Sequence, residues 1–311
     1  MNAIETRGLS KLFTPSVGLK PLDLSVQTGE IFGFLGPNGA GKTTAIRTLL
    51  GFLRPTSGAA TIGGYDVWQE REAVHRLVGY LAGEVHLPRD QSAHELMQRS
   101  ARLYGTGRRE PQDTTYGLEV ARRLDLNTHA KLGTLSKGNK QKVGLTLALM
   151  HRPAVLLLDE PTDGLDPLVQ ETVLELLREA RAEGRTVFLS SHVLSEVERV
   201  ADRVGIIRAG ELVRLETLSE LRSSLPQRVM VQFAAPPSGV WTTLAGLSAV
   251  GLSGVVPLDN GFTAWWRGDP NALLRALAAE NVQSLSLTPA TLEDAFLDEY
   301  RHGAGGDNHV A

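Results

Sequence analysis

The chain has 311 residues, 42% hydrophobic and 22% charged, with a net charge of −3 and no cysteine. That length favours two domains with ample core, and the missing cysteines exclude disulfides, thiol catalysis and cysteine-ligated zinc. A pI near 6.3 gives no global basic field for nucleic acid. No apolar run reaches the roughly 18 residues of a membrane span, and MNAIETRGLSKLF lacks a signal-peptide pattern; the chain is expected in the cytosol, reaching any membrane through a partner.

Short apolar runs at Ala3 to Leu9, Leu22 to Val26 and Ile31 to Leu35 alternate with turn residues and predict strands before the first helix. Phe13 falls in the loop after the first of these. An aromatic there could stack on a purine or fill the core, and composition alone favours the core.

From Ile31 to Leu35 the chain enters Gly36, Pro37, Asn38, Gly39, Ala40, Gly41, Lys42, Thr43 and Thr44, then a helical pattern to Gly51. This is G-x-x-x-x-G-K-T between a strand and a helix, the context that motif requires. Glycines let backbone N–H groups turn around an anion, and the helix aims its positive end at the same point. A polyphosphate fits. Lys42 is expected to reach the β- and γ-phosphates and the Thr43 hydroxyl to ligate the bridging Mg²⁺.

Pro55 to Gly58 reads as a turn, Ala59 to Ile62 as a short strand and Val78 to Leu81 as a strand edge. Between His86 and His151 the pattern turns helical, as an insert in an α/β domain. Ser92 to Glu95 forms a capping box for a helix to about Tyr104, with helical spacing again at Thr114 to Leu124 and Asn139 to Met150.

Ala154 to Leu158 reads as a fully buried parallel strand that delivers Asp159 and Glu160 to its carboxyl end, where open α/β sheets bind ligands. Asp159 is expected to hold Mg²⁺. Glu160, pointing the other way on a period of two, is expected to polarise an attacking water. A helix from Pro167 to Ala182 leads to a strand at Thr186 to Leu189 and then to His192, which could face the same edge or be structural. Val204 to Val213 reads as a hairpin centred on Ala209-Gly210.

Composition shifts near residue 218. Beyond it, strands at Val229 to Phe233, Gly251 to Leu258, Phe262 to Arg267 and Val282 to Leu287, with helices at Trp241 to Leu247 and Pro270 to Glu280, give the order βαββαβ of a small ferredoxin-like domain. Trp265 and Trp266 face opposite ways, so one is expected in the core. A last helix, Thr291 to Tyr300, and a disordered tail from residue 303 are expected.

Together these stretches resemble the nucleotide-binding subunit of an ABC transporter over residues 3–215. Five motifs match in order: the phosphate loop; Asp159-Glu160; Leu135-Ser136-Lys137-Gly138-Asn139, similar to the LSGGQ signature; Gly164-Leu165-Asp166, the D-loop; and His192, the switch histidine. The resemblance implies an α/β P-loop NTPase core over residues 1–217 with a helical subdomain at about 86–151. Residues 218–302 would then form an α+β accessory domain. It also implies an ATPase that binds ATP and Mg²⁺ and works as a head-to-tail dimer, with ATP between one phosphate loop and the facing Ser136, Lys137, Gly138 and Asp166. In that reading Phe13 stacks on adenine, Glu160 activates water and His192 senses the γ-phosphate.

Lys137 and Asn139 depart from the signature consensus, while Ser136 and Gly138 keep its hydroxyl and unhindered N–H. The family's metal-ligating glutamine aligns with Gly83, so Glu84 is the nearest substitute for that ligand. The signature form, the loop at Glu84 and Leu292 to Leu297 resemble the ABC-2 drug and antibiotic exporters. Partners would then be integral membrane permease subunits and a second, identical ATPase at the cytoplasmic face. A soluble ABC ATPase of translation or DNA repair is the alternative, although one cassette, no heptad run and no basic stripe argue against it. A monomeric P-loop kinase or GTPase leaves the signature and D-loop unexplained.

Overall fold

The computed structural model describes residues 1–104, 114–224, 226–234, 251–278 and 280–289. The chain divides into two compact units, Met1–Leu218 and Ser219–Ala311. The expected helices at 241–247 and 291–300 and the tail lie outside the described residues.

The first unit opens with a hairpin, β1 (Asn2–Thr14) and β2 (Val17–Gln27), joined in one antiparallel sheet by β4 (Ser57–Ile62) and β5 (Tyr65–Asp66) in the order β2-β1-β4-β5. The hairpin is longer than the sequence pattern predicts. Register shifts between Thr6 and Leu9 and between Leu9 and Lys11 interrupt the period-two alternation, so the strand runs on where its signature stops. Phe13 therefore sits in β1, not in a loop.

A second sheet of six strands has the order β10-β9-β3-β8-β7-β6. It comprises β3 (Ile31–Leu35), β6 (Val78–Leu81), β7 (Val155–Asp159), β8 (Thr186–Ser191), β9 (Arg203–Arg208) and β10 (Glu211–Thr217). All pairings are parallel except β9 with β10, whose turn at Ala209 and Gly210 takes positive φ at both residues. Every residue of β3, β7 and β8 is buried, as continuous apolar runs in a doubly covered parallel sheet should be. Phe188 stacks on Phe32 at 5.5 Å between centroids, and Phe34 lies 5.3 Å from Phe188 in a tilted arrangement.

Helix α1 (Lys42–Leu49) lies between the two sheets, burying Ala45, Ile46 and Leu49 with Leu9, Leu22 and Phe34 in one core. Each such fully buried leucine or isoleucine contributes about 1.5–3 kcal/mol. After α2 (Arg71–Leu77), the helices α3 (Ala93–Tyr104), α4 (Thr115–Arg123) and α5 (Lys137–Leu149) form the insert. Ser92 and Glu95 make the reciprocal cap that the sequence predicts: Glu95 Oε2 accepts from the Ser92 N–H at 2.7 Å, and Ser92 Oγ from the Glu95 N–H at 3.3 Å. Helix α5 is buried along most of its length because it packs between α3 and α4 and strand β6. At Gly144 a Cβ would stand 2.6 Å from Leu81 Cδ1.

Helices α6 (Pro167–Ala182) and α7 (Leu194–Glu198) complete the first unit. The strand ends are level: Leu35 pairs with Ser191, and Asp159 with Ser190. The three segments leaving β3, β7 and β8 therefore emerge side by side.

At the unit boundary α8 (Leu218–Ser224) precedes β11 (Gln227–Phe233), β12 (Leu252–Leu258), β13 (Gly261–Trp266), α9 (Pro270–Leu277) and β14 (Val282–Pro289). The strands form an antiparallel sheet in the order β12-β13-β11-β14. That is the strand order of a split βαββαβ unit. Leu273 and Leu277 of α9 pack with Val229, Val231 and Phe262, and Trp266, 1% exposed, joins them while Trp265 does not.

Candidate functional site

The turn from β3 into α1 is shaped by close approach. A Cβ on Gly36 would lie 2.4 Å from the Ile207 carbonyl oxygen, and Gly39 and Gly41 take φ of +81° and +110°, which residues with a Cβ rarely adopt. Gly41 is the N-cap of α1 and no side chain caps that helix, so the N–H groups of its first turn are left for an anion. The β9–β10 turn braces the loop from below, with the Gly210 N–H donating to the Ala40 carbonyl at 2.8 Å and its own carbonyl accepting from Lys20 N–H at 2.8 Å.

Lys42 is 5% exposed, and its ammonium donates to the carbonyls of Gly36 at 2.6 Å and Pro37 at 3.2 Å. It also lies 3.0 Å from Glu160 Oε1, while Glu160 Oε2 is 2.8 Å from His192 Nδ1 and accepts from the His192 N–H at 3.3 Å. One carboxylate thus bridges the phosphate-loop lysine and the histidine after β8. Glu160 reaches this place because its backbone is left-handed, at φ +51°. The period-two argument, which sends it away from Asp159, fails because the strand ends at Asp159. That conformation costs roughly 1–2 kcal/mol for a residue with a Cβ. It is held by the Glu160 N–H donating to Ser190 O at 3.1 Å and Oγ at 3.2 Å, and by Gln141 Nε2 donating to the Glu160 carbonyl at 2.9 Å.

Asp159 is 1% exposed and accepts from Thr43 Oγ1 at 2.7 Å and from Ser190 Oγ at 2.5 Å. Hard oxygens from Thr43 and Asp159 at this spacing fit Mg²⁺, which needs only one or two protein ligands beside phosphate and water. Among the described residues no group of three acidic or histidine side chains forms a self-sufficient metal cage. Nearby, Thr162 Oγ1 donates to Glu196 Oε2, and burial, with the charges of Glu160 and Asp163 adding to it, raises the Glu196 carboxyl above its ordinary range.

These groups open onto a cleft of about 320 Å³. Pro37, Asn38, Gly39, Gly41, Lys42, Thr43 and Thr44 face it, whereas Gly36 and Ala40 are buried beneath. Phe13, 58% exposed, stands at its mouth with the Lys11 ammonium 5.6 Å from its ring centre. Glu84 does not join the metal-binding pair: its carboxylate is 84% exposed and lies 3.8 Å from His86 Nε2. Gly83 occupies that wall instead, where a Cβ would be 3.2 Å from Asp159 Oδ2, because the backbone turns the longer side chain of Glu84 outward.

Ser136, Lys137, Gly138 and Asp166 are outside the cleft of their own chain. Ser136 caps α5, its Oγ accepting from the Asn139 N–H at 3.3 Å, and Asp166 caps α6, accepting from the Val169 N–H at 3.1 Å. Lys137 pairs with Asp163 at 2.6 Å. Ser136, Lys137 and Asp166 are exposed, so this second helix start is open to a facing surface. Sequence reasoning missed Ser190, Gln141 and Asp163. Ser190 and Asp163 adjoin recognised motifs and were within reach of it, but Gln141 has no local signal because its partner is 19 residues away.

The family described as "ABC transporter" matches residues 19–163. The bacitracin transport ATP-binding protein BcrA of Bacillus licheniformis is 37% identical over 68% of this chain and 68% of its own length. The daunorubicin/doxorubicin resistance ATP-binding protein DrrA of Streptomyces peucetius is 31% identical over 97% of this chain and 93% of its own. A solved ATP-binding subunit of an ABC transporter is 30% identical, covers 71% of this chain and 92% of its own, and superposes with a TM-score of 0.64.

Proposed function

This chain belongs to the ABC transporter family as one of its ATP-binding proteins, and from that premise we propose that it powers export of a drug or antibiotic through a separate ABC-2-type permease. The proposed cargo class follows relatives named for bacitracin transport and for daunorubicin/doxorubicin resistance. No helix among the described residues is long and apolar enough to cross a membrane.

Hydrolysis is assigned to the bridge of Lys42, Glu160 and His192 at the mouth of the phosphate loop. Lys42 binds the β- and γ-phosphates, Phe13 stacks on adenine, and Glu160 takes a proton from the attacking water. His192 holds the Glu160 carboxylate from the side away from Lys42 and senses the γ-phosphate. Thr43 and Asp159 would hold Mg²⁺, which would supply charge neutralisation at the phosphates. Ser136 and Gly138 start a helix outside the cleft and supply the missing donors to a second copy facing head to tail. The unit after Leu218 regulates this cycle, supports pairing of the two copies or binds a ligand.

Glu160→Gln tests the proposal. General-base removal should cut steady-state hydrolysis by roughly 10²–10⁴-fold while ATP still binds and drives a dimer separable by gel filtration. Wild-type turnover, or a monomer at every ATP concentration, would contradict it. Copurification with ribosomes or DNA and no integral membrane protein would favour the soluble alternative.

A further inference from the structure

We infer that Gln141 is a positioning residue for the Glu160 carboxylate, so that the helix carrying Ser136 and Gly138 also sets the base geometry in its own chain. The inference rests on Glu160 being that base. Gln141 lies in the second turn of α5, is 3% exposed, and donates Nε2–H to the Glu160 carbonyl at 2.9 Å. A carbonyl only accepts, so this contact fixes which end of the amide points at it.

The Glu160 peptide is thereby held on both sides, its N–H by Ser190 of β8 and its C=O by Gln141 of α5 at 2.9 Å and, more weakly, by the Asp163 N–H of its own turn at 3.2 Å. A left-handed conformation at a residue with a Cβ persists only where the surroundings over-determine it. Losing the Gln141 donor leaves the carbonyl only the longer local bond from Asp163, so Glu160 is freer to relax from the left-handed conformation and its side chain to move off Lys42 and His192. The other contacts of the α5 start stop short of this residue. Lys137 pairs with Asp163 at 2.6 Å, and Gly138 lies against Gly164, where a Cβ would be 2.6 Å from the carbonyl oxygen. Gln141 is thus the buried link from the signature helix to the backbone of the base, and a shift of that helix is transmitted to Glu160.

The test compares full-length wild type, Gln141→Leu, Gln141→Glu and Glu160→Gln for ATP affinity, KM and kcat across pH. Gln141→Leu removes the donor at similar volume and should lower kcat about tenfold with KM and ATP affinity unchanged. Gln141→Glu can donate to the carbonyl only when protonated, so its kcat relative to wild type should rise as pH falls. Wild-type kcat in Gln141→Leu beside an inactive Glu160→Gln overturns the positioning role alone. Normal turnover of Glu160→Gln overturns the base reading itself, whatever Gln141 does. A flat Gln141→Glu ratio, a joint fall of kcat and ATP affinity, or failure of both Gln141 variants to fold makes the contact structural and also overturns the inference.

Discussion

Glu160→Gln should tighten ADP binding while it abolishes turnover. The Lys42 ammonium and Glu160 Oε1 are 3.0 Å apart, with side-chain exposures of 6% and 17%. The two make no hydrogen bond with good geometry, and as an ion pair at the mouth of the site they contribute up to about 1 kcal/mol. A β-phosphate needs the same ammonium, so its binding costs part of that pairing. The glutamine amide competes more weakly and removes one negative charge beside the phosphates. A net gain of about 0.5–1 kcal/mol, or roughly two- to fivefold in Kd, is expected. Calorimetric titration with ADP is the suitable assay, because ADP lacks the γ-phosphate that would close a dimer. The effect should survive moderate salt, since the pair is shielded from bulk ions. Unchanged or weaker ADP binding would refute the idea that Glu160 competes with phosphate for Lys42.

Two further outcomes follow from the same geometry. Burial chiefly, with the neighbouring charges of Glu160 and Asp163, raises the Glu196 carboxyl, so the folded state holds this proton to higher pH than the unfolded chain does. Its contribution to stability is complete below the ordinary carboxyl range and is lost as pH rises through the raised value. Glu196→Gln keeps an acceptor for Thr162 without the charge, so its melting temperature relative to wild type should rise from acid to neutral pH; a flat or reversed difference would show that Glu196 carries no such penalty. Gly210→Ala would place a Cβ 2.0 Å from the Gly18 carbonyl at φ +80°. It should lower stability by more than the ~1 kcal/mol of the left-handed conformation alone and weaken nucleotide binding by moving the hairpin that carries Phe13. An unchanged melting temperature would mean that the β9–β10 turn does not brace the loop.

Much of this site was legible in the sequence because its parts are local. The phosphate loop announces itself by glycine spacing between a strand and a helix, and the buried β7 run shows where Asp159 is delivered. What the sequence hid was set by tertiary contact or by broken periodicity. The bulges in β1 cut its alternation short, so Phe13 read as a loop residue. The left-handed turn at Glu160 put two adjacent carboxylates into one cleft where strand geometry predicts opposite faces. Glu84 looked like the nearest oxygen for a metal, but Gly83 takes the wall beside Asp159 and the glutamate points into solvent.

The central claim is that each hydrolytic site is shared between two copies. It is tested most directly by mixing two inactive variants, Lys42→Ala, which spoils the phosphate loop, and Ser136→Asp, which keeps a helix cap but sets a negative charge against the phosphate. Each alone should be nearly silent, and the mixture should recover ATP hydrolysis, because a mixed dimer contains one site with an intact Lys42 facing an intact Ser136. A mixture no more active than its components, or full activity in Ser136→Asp alone, would contradict the account.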